Sequence, residues 1–135
     1  MEKFQKAYTA AAQHIDELGH VNNAVWVTWI QDLATSHWAA VAAPDHQAAY
    51  VWVVTRHEID YRGNIALGES VTGETFIPTG PTGARFQRRV DFRGADNKVI
   101  VSANTTWAIL DRASGRLVRV PRAVAEPFRP FADEA

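Results

Sequence analysis

From Ala24 to Val41 apolar residues recur every three or four positions. Trp26, Ile30, Leu33, His37 and Val41 form the stripe, and Val25, Trp29 and Ala40 widen it. That period predicts one long amphipathic helix, a rod of about 27 Å at 1.5 Å per residue. Elsewhere the signal is of strands. Phe4 to Ile15 carries small and β-prone residues without a helical stripe and predicts a first strand. Val51 to Tyr61 predicts a second, apolar at first and then alternating, with Thr55, His57, Ile59 and Tyr61 on one face. Glu69 to Ile77 predicts a third. Arg85 to Arg93 alternates along its length, with Phe86, Arg88, Val90 and Phe92 on one side and Arg85, Gln87, Arg89, Asp91 and Arg93 on the other. Val99 to Leu110 predicts a long strand with Val99, Val101, Ala103, Thr105, Trp107 and Ile109 on one face, and Leu117 to Val120 a short last one. Residues 44–47, 79–83, 95–97 and 111–115 read as loops and turns. One early helix followed by strands on short turns predicts an α+β fold, an antiparallel sheet packed on one helix. So much aromatic surface on that helix implies that the sheet wraps around it, with the tryptophans as core.

The 135 residues fit a single domain, 1–135, long enough to bury a core. With 14 basic and 15 acidic residues the net charge is −1, which gives no footprint for nucleic acid. No cysteine is present, so disulfides, thiolate metal sites and a cysteine nucleophile are excluded. Met1 to Lys6 lacks an apolar signal core, and no run approaches the roughly 20 apolar residues that span a bilayer. A cytoplasmic protein with no membrane partner is expected.

Candidate chemistry gathers just before the helix, in Asp16-Glu17-Leu18-Gly19-His20-Val21-Asn22-Asn23. The first N–H groups of a helix have no intrahelical acceptor, and the peptide dipoles add partial positive charge there. An N–H near Asn23 could therefore stabilise a carbonyl oxygen that becomes negative during acyl transfer. Asp16, across the Gly19 loop, could attack that carbonyl or activate a water. The same residue types also make ordinary turns and caps. His14, Asp16 and His20 match no common metal-site spacing, and no metal or cofactor is expected.

The octapeptide resembles the D-x-x-G-H-V-N-N signature of hotdog-fold acyl thioesterases, the 4-hydroxybenzoyl-CoA thioesterase-like superfamily. Trp26-Val27-Thr28-Trp29-Ile30-Gln31-Asp32 is similar to that family's central-helix pattern, with Gln31 where the family usually has Glu and Asp32 one step along. Weaker likenesses follow in Ile59-Asp60-Tyr61-Arg62, Leu67-Gly68-Glu69 and Gly115-Arg116-Leu117-Val118-Arg119-Val120-Pro121. The resemblance implies a hotdog fold of five or six strands curled round the helix, two subunits pairing into a larger sheet, and a site at their interface. It implies an acyl-CoA thioesterase, with a homodimer or homotetramer expected. Asp16 would be nucleophile or general base, the N–H near Asn23 would polarise the carbonyl, and His20 would orient the thioester or a water. Asn22 and Val21 would present these groups in the turn. Relatives that act on acyl carrier protein often have Asn two residues after the Asp, where this chain has Leu18, which favours coenzyme A as carrier. Among the arginines, Arg62 and Arg89 are the candidates for the coenzyme A phosphates. Some relatives carry a basic cluster where this chain has Gly80-Pro81-Thr82-Gly83, and here the loop, Gly83 included, would offer backbone N–H groups to a pantetheine arm. Other hotdog proteins are dehydratases or hydratases, but the D-x-N-P-x-H stretch is absent. A non-catalytic acyl-CoA binder is the remaining alternative.

Overall fold

The computed structural model describes residues 3–130. Met1, Glu2 and residues 131–135 lie outside the described residues, and so do the two ends of the expected 1–135 domain and the first residues read for a signal. Five strands, β1 (Phe4–Thr9), β2 (Tyr50–Tyr61), β3 (Ser70–Phe76), β4 (Arg85–Arg93) and β5 (Val99–Asp111), form one antiparallel sheet in the order β1-β3-β4-β5-β2. Helix α1 (Asn23–Val41) buries Trp26, Trp29, Ile30, Leu33, Ala34 and His37 against the inner face of the sheet, whereas Val25 and Val41 of the expected stripe are half-buried and Ala40 is exposed. Helix and sheet come close together at Gly73 on β3. A Cβ there would sit 3.0 Å from Leu33 Cδ2 and 3.0 Å from Phe92 Cε1, so only a residue without a side chain lets helix and strand meet.

Several short elements depart from the expectations. The first strand ends at Thr9, and a 3₁₀ turn, Ala12–His14, follows it. His14 Nδ1 accepts the Ala11 N–H at 2.9 Å, a local bond that competes with extended pairing. The stretch from Pro44, expected as a loop, is helix α2 (Pro44–Ala49). Proline is at home in the first turn because its missing N–H would have no acceptor there. Residues 117–120 make a single bridge, Leu110 to Leu117, rather than a strand. The chain then turns into α3 (Arg122–Ala125) and a 3₁₀ turn at Glu126–Phe128. In β2 the register against β5 shifts between Val54 and Arg56, so Thr55 is an extra, bulged residue out of step with His57 and Ile59.

The interior consists of two apolar clusters. One joins Val21, Trp26, Ile30, Leu33, Val90, Phe92 and Val101 around the first half of α1. The other joins Ala42, Phe86, Ile109, Val120, Val124 and Phe128 around its end. Between them lies a polar layer. Arg88, on the inner face of β4, donates from Nη1 to His37 Nδ1 at 2.8 Å and to Thr75 Oγ1 at 2.9 Å. On the neighbouring strands His57 Nδ1 and Thr105 Oγ1 stand 2.9 Å apart. A guanidinium has no acceptor, so His37 Nδ1 must offer a lone pair and the ring proton resides on Nε2. Burial, and then the Arg88 charge, push the His37 pKa down to about 3, which keeps the imidazole neutral.

Two predictions follow from this packing. Gly73→Ala should lower unfolding stability by about 1–3 kcal/mol in urea titration, because Leu33 and Phe92 are both fully buried and would have to shift to admit the methyl group. The folded pKa of His37 lies below the unfolded value of about 6.5. The unfolded chain therefore binds a proton that the folded chain refuses, and stability present above about pH 6.5 should fall as pH drops toward 3, by at most about 1.4 kcal/mol per unit from this residue. In urea titrations at a series of pH values, His37→Gln should flatten the profile over that window.

Candidate functional site

The segment before α1 folds back on itself. Ile15 and Val21 form an antiparallel bridge, and the Asp16 N–H donates to the His20 carbonyl at 2.8 Å. Inside this closed loop the Asp16 carboxylate accepts two backbone N–H groups at Oδ1, from Leu18 at 2.9 Å and from His20 at 3.2 Å. The Gly19 N–H donates to the Asp16 carbonyl at 3.1 Å, and Gly19 takes φ +77°, the left-handed region that costs glycine least. Asp16 is half-buried and His20 exposed. Among the described residues Oδ2 of Asp16 has no partner, so one oxygen is held by the loop and the other is free.

The helix start follows directly. Asn22 is the N-cap, in extended conformation, and its Oδ1 accepts the Ala24 N–H at 2.9 Å. Its own N–H donates to the His14 carbonyl at 2.9 Å, so the 3₁₀ turn, the loop and the helix are fastened together. Asn23 is the first helical residue, and its N–H meets no acceptor among the described residues. It is one of the orphan donors at the positive end of the helix dipole.

Behind the loop stands a residue that sequence reasoning passed over. The Asn64 carboxamide accepts the Val21 N–H at 3.2 Å and donates to the Val21 carbonyl at 3.1 Å, standing in for a strand partner. Val21 N–H also reaches the Ile65 carbonyl at 3.2 Å, and its side chain is fully buried. An asparagine just after a strand was the available signal, but its partner is 43 residues away. Tyr61, the last residue of β2, donates from its hydroxyl to the Asn23 carbonyl at 3.4 Å.

Asp32 lies partly exposed on α1. Its Oδ2 accepts from Tyr8 Oη at 2.6 Å and Lys6 Nζ at 2.8 Å, which ties α1 to β1. The bond from Lys6, and then that from Tyr8, hold its carboxyl below the usual carboxylate range. Burial, and then Asp32, push the Tyr8 phenol well above its ordinary value.

The outlying candidates are dispersed. Arg62 lies just past β2, two residues before Asn64, with its side chain exposed and its N–H on the Ile100 carbonyl at 2.8 Å. Arg89 is on the outer face of β4, opposite α1, and pairs with Asp91 at 3.2 Å. Gly83 takes φ +59° in the loop before β4, and its carbonyl accepts the Val120 N–H at 2.9 Å. One chain thus brings Asp16, His20, Val21, Asn22 and Asn23 together, with Arg62 beyond Asn64, but not Arg89 or Gly83. Trp26 and Trp29 are core, while Trp52 lines a cavity at the other end of α1. Among the described residues no helix is long and apolar enough to cross a membrane.

The fold recurs in known proteins. A hypothetical protein from Staphylococcus aureus in complex with CoA superposes with TM-score 0.83 at 13% identity, over 93% of this chain and 81% of that one. An acyl-ACP thioesterase from Bacteroides thetaiotaomicron gives 0.77 at 18% identity, over 87% of this chain but 49% of that one, so the present chain spans about half of it. A 1,4-dihydroxy-2-naphthoyl-CoA thioesterase from Synechocystis gives 0.76 at 12% identity, over 93% and 97%. No curated protein matches the sequence. The arrangement of one long central helix and a five-stranded antiparallel sheet is the hotdog fold that the octapeptide implied. The profile of the acyl-ACP thioesterase N-terminal domain matches residues 1–128, and the chain belongs to that family of hotdog thioesterases.

Proposed function

We propose that the protein hydrolyses an acyl-CoA thioester to the free acid and CoA. The observation that carries this reading is a carboxylate, Asp16, held at one oxygen by a closed loop that runs directly into the helix start, where the Asn23 N–H has no acceptor among the described residues. The Asn23 N–H polarises the thioester carbonyl and stabilises the oxyanion as it develops. Asp16 Oδ2 either attacks the carbonyl carbon, giving a mixed anhydride and the thiolate, or takes a proton from a water that attacks instead. On the first route water then cleaves the anhydride; on both, the thiolate leaves as CoA once protonated. His20, exposed beside the carboxylate, orients the thioester or the water. Val21 and Asn22 hold the turn in position, while Arg62 and Arg89 serve the phosphates and the Gly83 loop the pantetheine arm.

The family match favours a second carrier, acyl carrier protein. Leu18, where relatives acting on that carrier have Asn, keeps coenzyme A first. The working unit in this reading is a dimer or a tetramer of the cytoplasm. Strand β2, 12 residues long, is an edge strand that pairs on one side only among the described residues, and Val53 and Tyr61 are exposed along it. Such an edge is a ready template for a second copy.

The test is release of free thiol from acyl-CoA and acyl-carrier-protein substrates, ranging from acetyl to palmitoyl with benzoyl and phenylacetyl. The wild type should release thiol, and Asp16→Asn should lower kcat by about 10²–10⁴-fold with substrate affinity largely intact. An Asp16→Asn protein with wild-type turnover would remove Asp16 from the mechanism.

A further inference from the structure

At the far end of α1 from Asp16 lies a cavity of about 190 Å³, walled mainly by Trp38, Trp52, Phe86, Trp107 and Phe128. Its helix residues, Ala34 to Trp38, lie about 17 to 23 Å along the axis from Asn23. We propose that this cavity binds a small aryl carboxylate, with the ring between the aromatic walls and the carboxylate on Arg88.

The argument begins with charge. Arg88 lines the cavity and is itself 7% exposed. Its Nη1 is committed to His37 and Thr75, both neutral, and among the described residues no carboxylate pairs with it. Nε and Nη2 meet no acceptor among the described residues. Burial lowers the Arg88 pKa to about 10, so the group still carries its charge at neutral pH. A buried cation without a counter-charge is costly, and the geometry of a guanidinium suits a planar, two-oxygen anion. Arg112 lies at the margin of the cavity and adds positive charge that favours entry of an anion.

Size and wall chemistry select the rest of the ligand. An apolar cavity of roughly 150 Å³ takes one benzene, so 190 Å³ accommodates one ring and a carboxylate. Trp38 lies edge-to-face with Trp52 at 5.8 Å and stacked with Phe128 at 5.7 Å, and Trp52 is stacked with Phe86 at 5.9 Å. A flat ring continues that arrangement.

The site does not depend on hydrolysis, and its test uses no thioester. Benzoate and phenylacetate, titrated into the full chain, should quench tryptophan fluorescence with a Kd of ~1 mM or tighter. Benzyl alcohol, of similar size but uncharged, should bind at least ~10-fold more weakly. Arg88→Met should lose the carboxylate preference. Should that variant not fold, Arg88→Lys keeps the charge and loses the fork, and it should weaken benzoate binding ~3-fold or more. Asp16→Asn should bind benzoate as the wild type does, so failure here and failure of the hydrolase reading are separable. Equal affinity for benzoate and benzyl alcohol, no saturable benzoate binding, or unchanged benzoate binding in folded Arg88→Met would overturn the proposal.

Discussion

The contact from Arg88 to His37 joins the middle strand of the sheet to the second half of the helix, and the rest of the interior is arranged on either side of it. Along β4 the inner face runs Phe86, Arg88, Val90, Phe92, passing from one apolar cluster through the polar layer into the other. Along α1 the same passage runs from Leu33 through His37 to Ala42. Apolar side chains slide past one another at modest cost, whereas a buried guanidinium that loses its acceptor does not. A single hydrogen bond between two such groups therefore restricts where the helix can sit far more than the surrounding leucine, tryptophan and phenylalanine contacts do. Phe4 stacked on His37 at 5.0 Å and Phe128 edge-on at 4.9 Å close the layer from both sides.

The loop before the helix is held by the opposite strategy, many backbone bonds and few side chains. Asp16, Gly19, His20 and Asn22 all bond through the main chain, and only Val21 is sunk into the core. Asn64 clasps Val21 from behind on both its polar groups. A carboxylate held by its own loop amides needs no partner from the interior, which allows it to remain near solvent and still be fixed. The chemistry proposed for Asp16 needs that combination of fixed position and access.

Much of this was legible in the residues. The helix was readable to within one residue because its period persists over five turns, and the inward placement of Arg88 was readable from the alternation of β4. The loop and helix start are contiguous in sequence, so a local motif could carry them. What escaped was either too short or too distant. Helices of four and six residues, such as α3 and α2, show no period, and Pro44 reads as a breaker when it is in fact the opening residue of a helix. The bulge at Thr55 is set by pairing with β5, not by β2 itself. Asn64 and the Arg88 to His37 pair depend on partners 43 and 51 residues away, and alternation says which face a residue takes but not whom it meets.

The position of His37 within α1 has an outcome for the loop at the other end. Fourteen residues, about four turns, separate Asn23 from His37, and both ends of that span are fastened to other parts of the molecule. Adding or deleting one residue in the span would rotate the helix start by about 100° relative to the sheet. The Asn23 N–H would turn with it, and so would Trp26, Trp29 and Ile30, which are buried in the core. Length in this segment is thus a chemical variable as well as a structural one, and the spacing between a core histidine and a surface asparagine sets the aim of the proposed oxyanion donor.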